Sequence, residues 1–240
     1  MRPTRRQSGI TLTEITIVVA SIVILVGIAL PATKMFFRSF ESQSGAMTLI
    51  SGALSAARAM AIKHQRYAGV RFQCEYDPRG PLYARQYMIH VVHDRDGTTL
   101  ASGFRPIDGI KPIPLPEPVG VTDLIVRGNT SISSDAATAT DVNDMMAFSI
   151  VFSPSGRVVV HDVRMAYGTG ELSARFISDG PTTASNGYLQ EPSRTGFLIF
   201  DRKEFNQAYE RGAAWTQYLS RMASGMVYVS PYTGRIISTD

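Results

Sequence analysis

Four histidines, His64, His90, His93 and His161, are the first candidates for metal or acid–base chemistry in this chain. His90 and His93 fall in Gln86 to His93, a run with the composition of a strand. Side chains three apart on a strand point to opposite faces, so these two cannot share an ion there. Dispersed structural or surface histidines are expected. Asp94, Asp96 and Gly97 resemble the opening of a calcium loop, as do Asp141, Asn143 and Asp144, but later ligands are missing from both, and turns are favoured. The single cysteine, Cys74, forbids an internal disulfide and reads as a buried thiol. No G-x-S-x-G elbow, Walker loop, H-E-x-x-H or paired-cysteine motif occurs. No catalytic residue, metal ligand or cofactor is therefore expected, and the chain is not read as an enzyme.

Arg58, Lys63, Arg66 and Arg71 offer a possible basic patch for DNA, against the plainer reading of a solvated helix face. The overall charge gives that patch little help. The formal net charge is +4, but Arg2, Arg5 and Arg6 all stand among the first nine residues. Without them the chain holds 21 basic against 20 acidic residues. A broad nucleic-acid footprint is not implied.

The amino terminus carries more information. After the polar, basic MRPTRRQSG comes ITLTEITIVVASIVILVGIALPATKMFF, with 19 uncharged residues between Glu14 and Lys34. That is about the length a helix needs to cross a bilayer, roughly 20 residues. Upstream arginines hold that end in the cytoplasm. A secretory signal has a shorter apolar core and a cleavage site after it, and Ala29-Leu30-Pro31-Ala32 suits that poorly. A plain single-pass anchor needs neither Gly9 nor Glu14.

Gly9-Ile10-Thr11-Leu12-Thr13-Glu14, between the basic leader and the apolar run, resembles the processing site of type IV prepilins and type II secretion pseudopilins. The resemblance implies that a prepilin peptidase cuts between Gly9 and Ile10 and methylates the new amine of Ile10. The family usually has phenylalanine at the place of Ile10 and an aliphatic residue at that of Thr13. It also implies that Glu14 pairs with the terminal amine of a neighbouring subunit. A carboxylate at the edge of a membrane helix is costly and persists where it has a partner or a function. Pro31 would kink the helix or mark where it leaves the bilayer.

The helix is expected to continue. Phe36, Phe40, Met47, Ile50, Leu54, Ala57 and Ala61 form a one-sided stripe, and a helix from Thr11 to Gln65 would be roughly 80 Å long. Gly45 and Gly52 each weaken it by about 1 kcal/mol relative to alanine. The stretch from Ser55 to Arg66, followed by the strand Tyr67 to Phe72, resembles the stalk end of the pseudopilin H/FimT group. The strand and turn Phe148 to Arg157 resemble the same group.

Strands are read at Gln86 to His93, Asp123 to Arg127, Met146 to Phe152, Arg157 to Val163, Arg175 to Ser178 and Phe197 to Phe200. Hairpin turns are expected at Asp94 to Gly97 and Ser153 to Gly156. Ile107 to Pro118, with four prolines, reads as an extended surface connection. Gly128 to Asp144 and Gly180 to Arg194 read as polar loops. Asp201 to Glu204 resembles a capping box opening a helix that ends near Gly225, followed by Met226 to Val229 and a turn at Pro231 to Gly234. This tail is longer than the pseudopilin H pattern.

The expected fold class is α+β: a long amino-terminal helix packed on a β-rich, pilin-like head, with a short carboxy-terminal helix. The divisions are leader 1–9, transmembrane helix 10–33, amphipathic stalk 34–66, head 67–200 and extension 201–240. As the resemblance has it, the chain is a minor pseudopilin of a type II secretion system, waiting in the bacterial inner membrane with its head in the periplasm. Its partners would be the prepilin peptidase, other pseudopilins or pilins, the assembly platform and membrane lipid. A FimT-type minor pilin binding DNA for natural transformation, and a tethered enzyme, are the alternatives.

Overall fold

The computed structural model describes residues 44–99, 101–123, 139–166, 172, 175–176, 190–222 and 226–238, and over these the protein is a mixed α+β fold. Helix α1, Ser44–His64, comes first. Its stripe does what the spacing dictates: Ile50, Leu54, Ala57 and Ala61 are fully buried and Met47 half-buried. The stripe positions Phe36 and Phe40 lie outside the described residues. Gln65 ends the helix in a left-handed conformation (φ 51°), and Arg66 N donates back to Ala61 O at 3.3 Å. This is how helices close their last turn.

The next elements are β1 (Ala68–Cys74), β2 (Gln86–His93), the short helical turn α2 (Arg95–Thr98), β3 (Gly103–Pro106), β4 (Ile113–Pro114) and β5 (Val119–Asp123). Then come α3 (Ala139–Met146), β6 (Phe148–Phe152), β7 (Val158–Val159), β8 (Asp162–Met165), β9 (Glu191–Pro192), β10 (Gly196–Asp201) and α4 (Arg202–Glu210). A π-helical turn, Ala214–Leu219, and the strands β11 (Met226–Val229) and β12 (Ile236–Ser238) close the chain. One sheet runs β7-β6-β1-β2-β3-β8-β9, with β4 also on β2; the other runs β12-β11-β10-β5.

In the first sheet β1 pairs antiparallel with both β2 and β6. Side chains alternate between its faces. Val70, Phe72, Met88 and Val92 join α1 in one core, while Tyr87, Ile89 and Val91 join Phe104 and Val163 in another. β1 and β6 approach closely enough that a Cβ on Gly69 would sit 2.3 Å from Ile150 O. The second sheet completes the α1 core with Val119, Val121, Phe197, Ile199, Val227 and Val229. A third cluster gathers α3, β10, α4 and the π-helical turn around Phe205 and Trp215.

Several expected boundaries shift, each for a physical reason. β5 runs Val119–Asp123, so it ends where the expected strand Asp123 to Arg127 begins, because Val119 and Val121 face the α1 core, while 124–130 lie outside the described residues. Arg157 to Val163 splits in two, since β7 stays with β6 whereas β8 crosses to pair in parallel with β3. The proline stretch is not wholly a surface connection: Ile113 and Pro114 pair with β2 and Leu115 is buried. Residues Asp141 and Asp144 are helical, and α3 buries Val142, Met145 and Met146. Asp94 to Gly97 caps α2, with Asp94 accepting from Gly97 N at 3.1 Å. Phe176 N donates to Leu172 O at 2.9 Å, a helical turn in place of a strand. Asp201 caps α4 as expected, accepting from Lys203 N and Glu204 N at 2.8 and 3.0 Å. That helix nevertheless stops at Glu210 instead of continuing towards Gly225.

Candidate functional site

Gly9, Ile10, Glu14 and Pro31 lie outside the described residues. Among those that are described, α1 is one-sided, buried on its inner face and exposed on its outer one. By length and composition alone it could cross a membrane, yet its inner side seals a protein core. Ala46, Ala53, Ala57 and Ala61 on that side are all buried. Such small side chains let a helix lie close to a sheet. The outer side exposes Ser44, Gly45, Thr48, Leu49, Gly52, Ser55, Ala59 and Ile62 and holds no charge before Lys63. Among the described residues, a methyl added at Gly45 or Gly52 would meet nothing within 4 Å. No contact among the described residues explains either glycine.

The four cations read as a possible patch do not form one surface. Arg71 is the clear correction: it is buried on the sheet face opposite α1 and ion-paired to Glu191, with a further bond to Ser149 Oγ at 3.3 Å. The strand alternation that puts Val70 and Phe72 against α1 sends Arg71 the other way. Arg58 is half-buried and serves as a clamp. Its Nε donates to Gly156 O at 2.9 Å and its Nη2 to Tyr232 O at 3.4 Å. These carbonyls belong to the β6–β7 and β11–β12 turns, one from each sheet, so one side chain ties α1 to both. Gly156 (φ +77°) and Gly234 (φ +66°) supply the left-handed conformations those turns need. Arg66 is exposed and faces Asp94 at 3.6 Å, leaving Lys63 exposed on the helix.

The histidines divide as strand geometry requires. His90 points at α1, and because a carbonyl can only accept, its Nε2–H donates to Ala53 O at 3.1 Å. Its Nδ1 is buried and finds no partner among the described residues. Burial pushes the imidazole pKa down, against a smaller upward pull from the Ala53 carbonyl. His93 lies on the opposite face, with its ring 5.7 Å from that of His161 and Nε2 bonded to Ala101 O at 2.9 Å. Asp94 is fully engaged by protein. The Arg105 guanidinium, then the Gly97 amide, hold its carboxyl below the usual range. A cavity of about 330 Å³ beside it is lined by Gln65, Arg66, Tyr67, His93, Arg95, Asp96 and Pro154. Cys74 is buried and forms no disulfide, its Sγ 3.6 Å from Met146 Sδ.

Sequence reasoning identified the α1 stripe but missed the Arg58 clamp and the buried Arg71–Glu191 pair. Two Gly-containing turns signalled the clamp's receptors; nothing in the sequence linked them to Arg58. No family model, curated protein or solved structure matches the chain.

Proposed function

We propose that the chain is a minor pseudopilin: a filament subunit anchored by the apolar segment at 10–33, processed between Gly9 and Ile10, and involved in protein secretion. Ile10 is the methylated residue, and Glu14 meets the freed amine of a neighbouring subunit. In this reading α1 is the outer part of a long stalk helix, and the β-rich unit is the pilin-like head in the periplasm.

The observation that carries the reading is the outer side of α1. Glycine inside a helix costs about 1 kcal/mol relative to alanine, and at Gly52 the missing methyl makes room for nothing among the described residues. Small residues along one helix face let a second backbone come close. A bundle of such helices gives Gly45, Gly52, Ser55 and Ala59 a purpose. The uncharged outer side through Ile62 supports the same packing. The DNA-uptake alternative has less support, because Arg71 is buried and Arg58 is committed to two turns.

Mass spectrometry of the mature terminus, from cells with and without the prepilin peptidase, tests the reading. The expected species begins with methyl-isoleucine from Ile10 and disappears without the peptidase. A mature chain that starts after Ala32, or one that keeps its leader in peptidase-positive cells, refutes it.

A further inference from the structure

The carboxy-terminal segment encloses a cleft that the filament reading leaves unused. α4 and its C-cap contribute one row, Glu204, Ala208 and Arg211; facing it are Ala213, Gln217, Tyr218, Arg221 and Met222. The cavity is about 570 Å³, a size that takes several side chains. Its shape follows from the backbone. Ala213 N donates to Ala208 O at 2.9 Å and Tyr218 N to Ala213 O at 3.1 Å, both reaching back five residues. These wide turns spread the two rows apart; π-helical turns of this kind are frequent at functional sites. Alanine at 208 and 213 leaves the floor low. Beneath it Phe205 packs on Trp215, with ring centroids 5.5 Å apart, and Leu219 joins the same buried cluster. The walls are thus held by core packing.

The lining has two guanidiniums and one carboxylate. Arg211 and Arg221 are exposed. The bond described for Arg211 runs from Nε to Gln207 O at 2.9 Å, and Arg221 has no ion pair among the described residues. The Tyr218 hydroxyl accepts from Asp201 N and donates to Asp201 O, each at 3.1 Å. Burial, then the charge of Glu204, pushes its ionisation upward, so it stays a neutral group and offers no base. The equipment suits binding.

We propose that this cleft binds an acidic, extended segment of a partner protein. Arg211 and Arg221 take its carboxylates, and an adjacent apolar side chain rests on Ala208, Ala213 and Met222. Guanidinium matches carboxylate in a planar, two-bond geometry, and two of them against Glu204 leave the site cationic. The apolar floor points to a peptide over a free small anion, which would leave that floor uncovered. The site uses no residue of α1 or of the processing motif, so it does not depend on the filament reading.

The full chain in detergent micelles is titrated with a fluorescein-labelled heptapeptide of alternating glutamate and phenylalanine, and with its glutamine counterpart, by anisotropy. The acidic peptide is expected to bind about tenfold more tightly, equivalent to about 1.4 kcal/mol. R211E combined with R221E should abolish that preference, and R211Q combined with R221Q should reduce it, with unchanged urea midpoints showing intact folding. Ala208→Trp should weaken both peptides by filling the floor. Equal binding of the two peptides, or undiminished acidic binding by the charge-reversed variant, overturns the proposal. Displacement by free glutamate as effective as by unlabelled peptide also overturns it, since the occupant would then be a small anion.

Discussion

On its inner side α1 buries Ile50, Leu54, Ala57 and Ala61 completely, and on its outer side it leaves Gly45, Thr48, Leu49, Gly52, Ser55 and Ala59 open. The inner residues answer to the two sheets, because each fills space that Val70, Phe152, Val121 or Val227 would otherwise leave empty. Among the described residues, the two outer glycines face nothing within 4 Å, and Thr48 bonds only back along its own helix, to Ser44 O at 3.0 Å. Both glycines weaken the helix that carries them. A face that gives up stability without an internal return is where a partner is to be sought. On the filament reading proposed above the contrast is one of purpose, folding on one side and association on the other, and substitutions on the two sides should separate these outcomes.

The largest effect is expected on the inner side. Leu54 is fully buried at the centre of the α1 core. Leu54→Ala should destabilise the fold by about 2–5 kcal/mol, the range for emptying a leucine site in a packed core. Urea unfolding would show this as a lower midpoint with an unchanged slope. A loss below about 1 kcal/mol would mean that the helix is only loosely seated, and the two sides would no longer differ in kind.

The outer side should behave oppositely. Gly52→Ala adds a methyl that meets nothing among the described residues and should stabilise the helix by about 1 kcal/mol. If a second helix packs there, the same methyl should impair assembly. The measurement is paired: urea midpoint of the purified chain, and the yield of cross-linked filament from cells. Higher stability with undiminished assembly would leave the glycine unexplained and remove the main support for helix packing on that face.

What could be read from the chain beforehand follows the same division. Local regularities were visible: the α1 stripe, β2 at its observed limits, β10 within a residue or two, the turn at Ser153–Gly156 and the Asp201 cap. Each depends on residues near one another in sequence. Features that depend on distant partners were not visible. Arg71 reads as a surface cation until Glu191, far along the chain, is brought beside it. Likewise Arg58 reads as a free charge until turns from two sheets converge on it. The break after α4 was missed because Phe205, Tyr209, Leu219 and Met222 fit a helical rhythm on both sides of Arg211–Ala213. Tertiary packing then favours two elements folded against each other. The proposed processing residues Gly9, Ile10 and Glu14, by contrast, were singled out as a linear motif in the sequence alone; they lie outside the described residues.

At neutral pH the smallest difference should come from His90, the polar group beneath the inner side. Its folded pKa is depressed from the ordinary 6.5, first by burial. A depressed base stays neutral in the folded chain while the unfolded chain takes up a proton. Stability is thus fully present above about pH 6.5 and falls as pH drops below it, until the folded-state pKa is reached. At pH 7 both states are mostly neutral and the effect is slight. Urea midpoints measured from pH 7.5 to about pH 5 should decline in the native chain. They should stay flatter in His90→Gln, whose amide can still donate to Ala53 O but cannot titrate. Aspartates such as Asp94, whose carboxyl is depressed by Arg105, add their own loss only nearer the carboxylate range. A matching decline in both chains would mean that His90 is already charged, or hydrated, under α1. The inner side would then be wetter than its buried leucine and alanines imply.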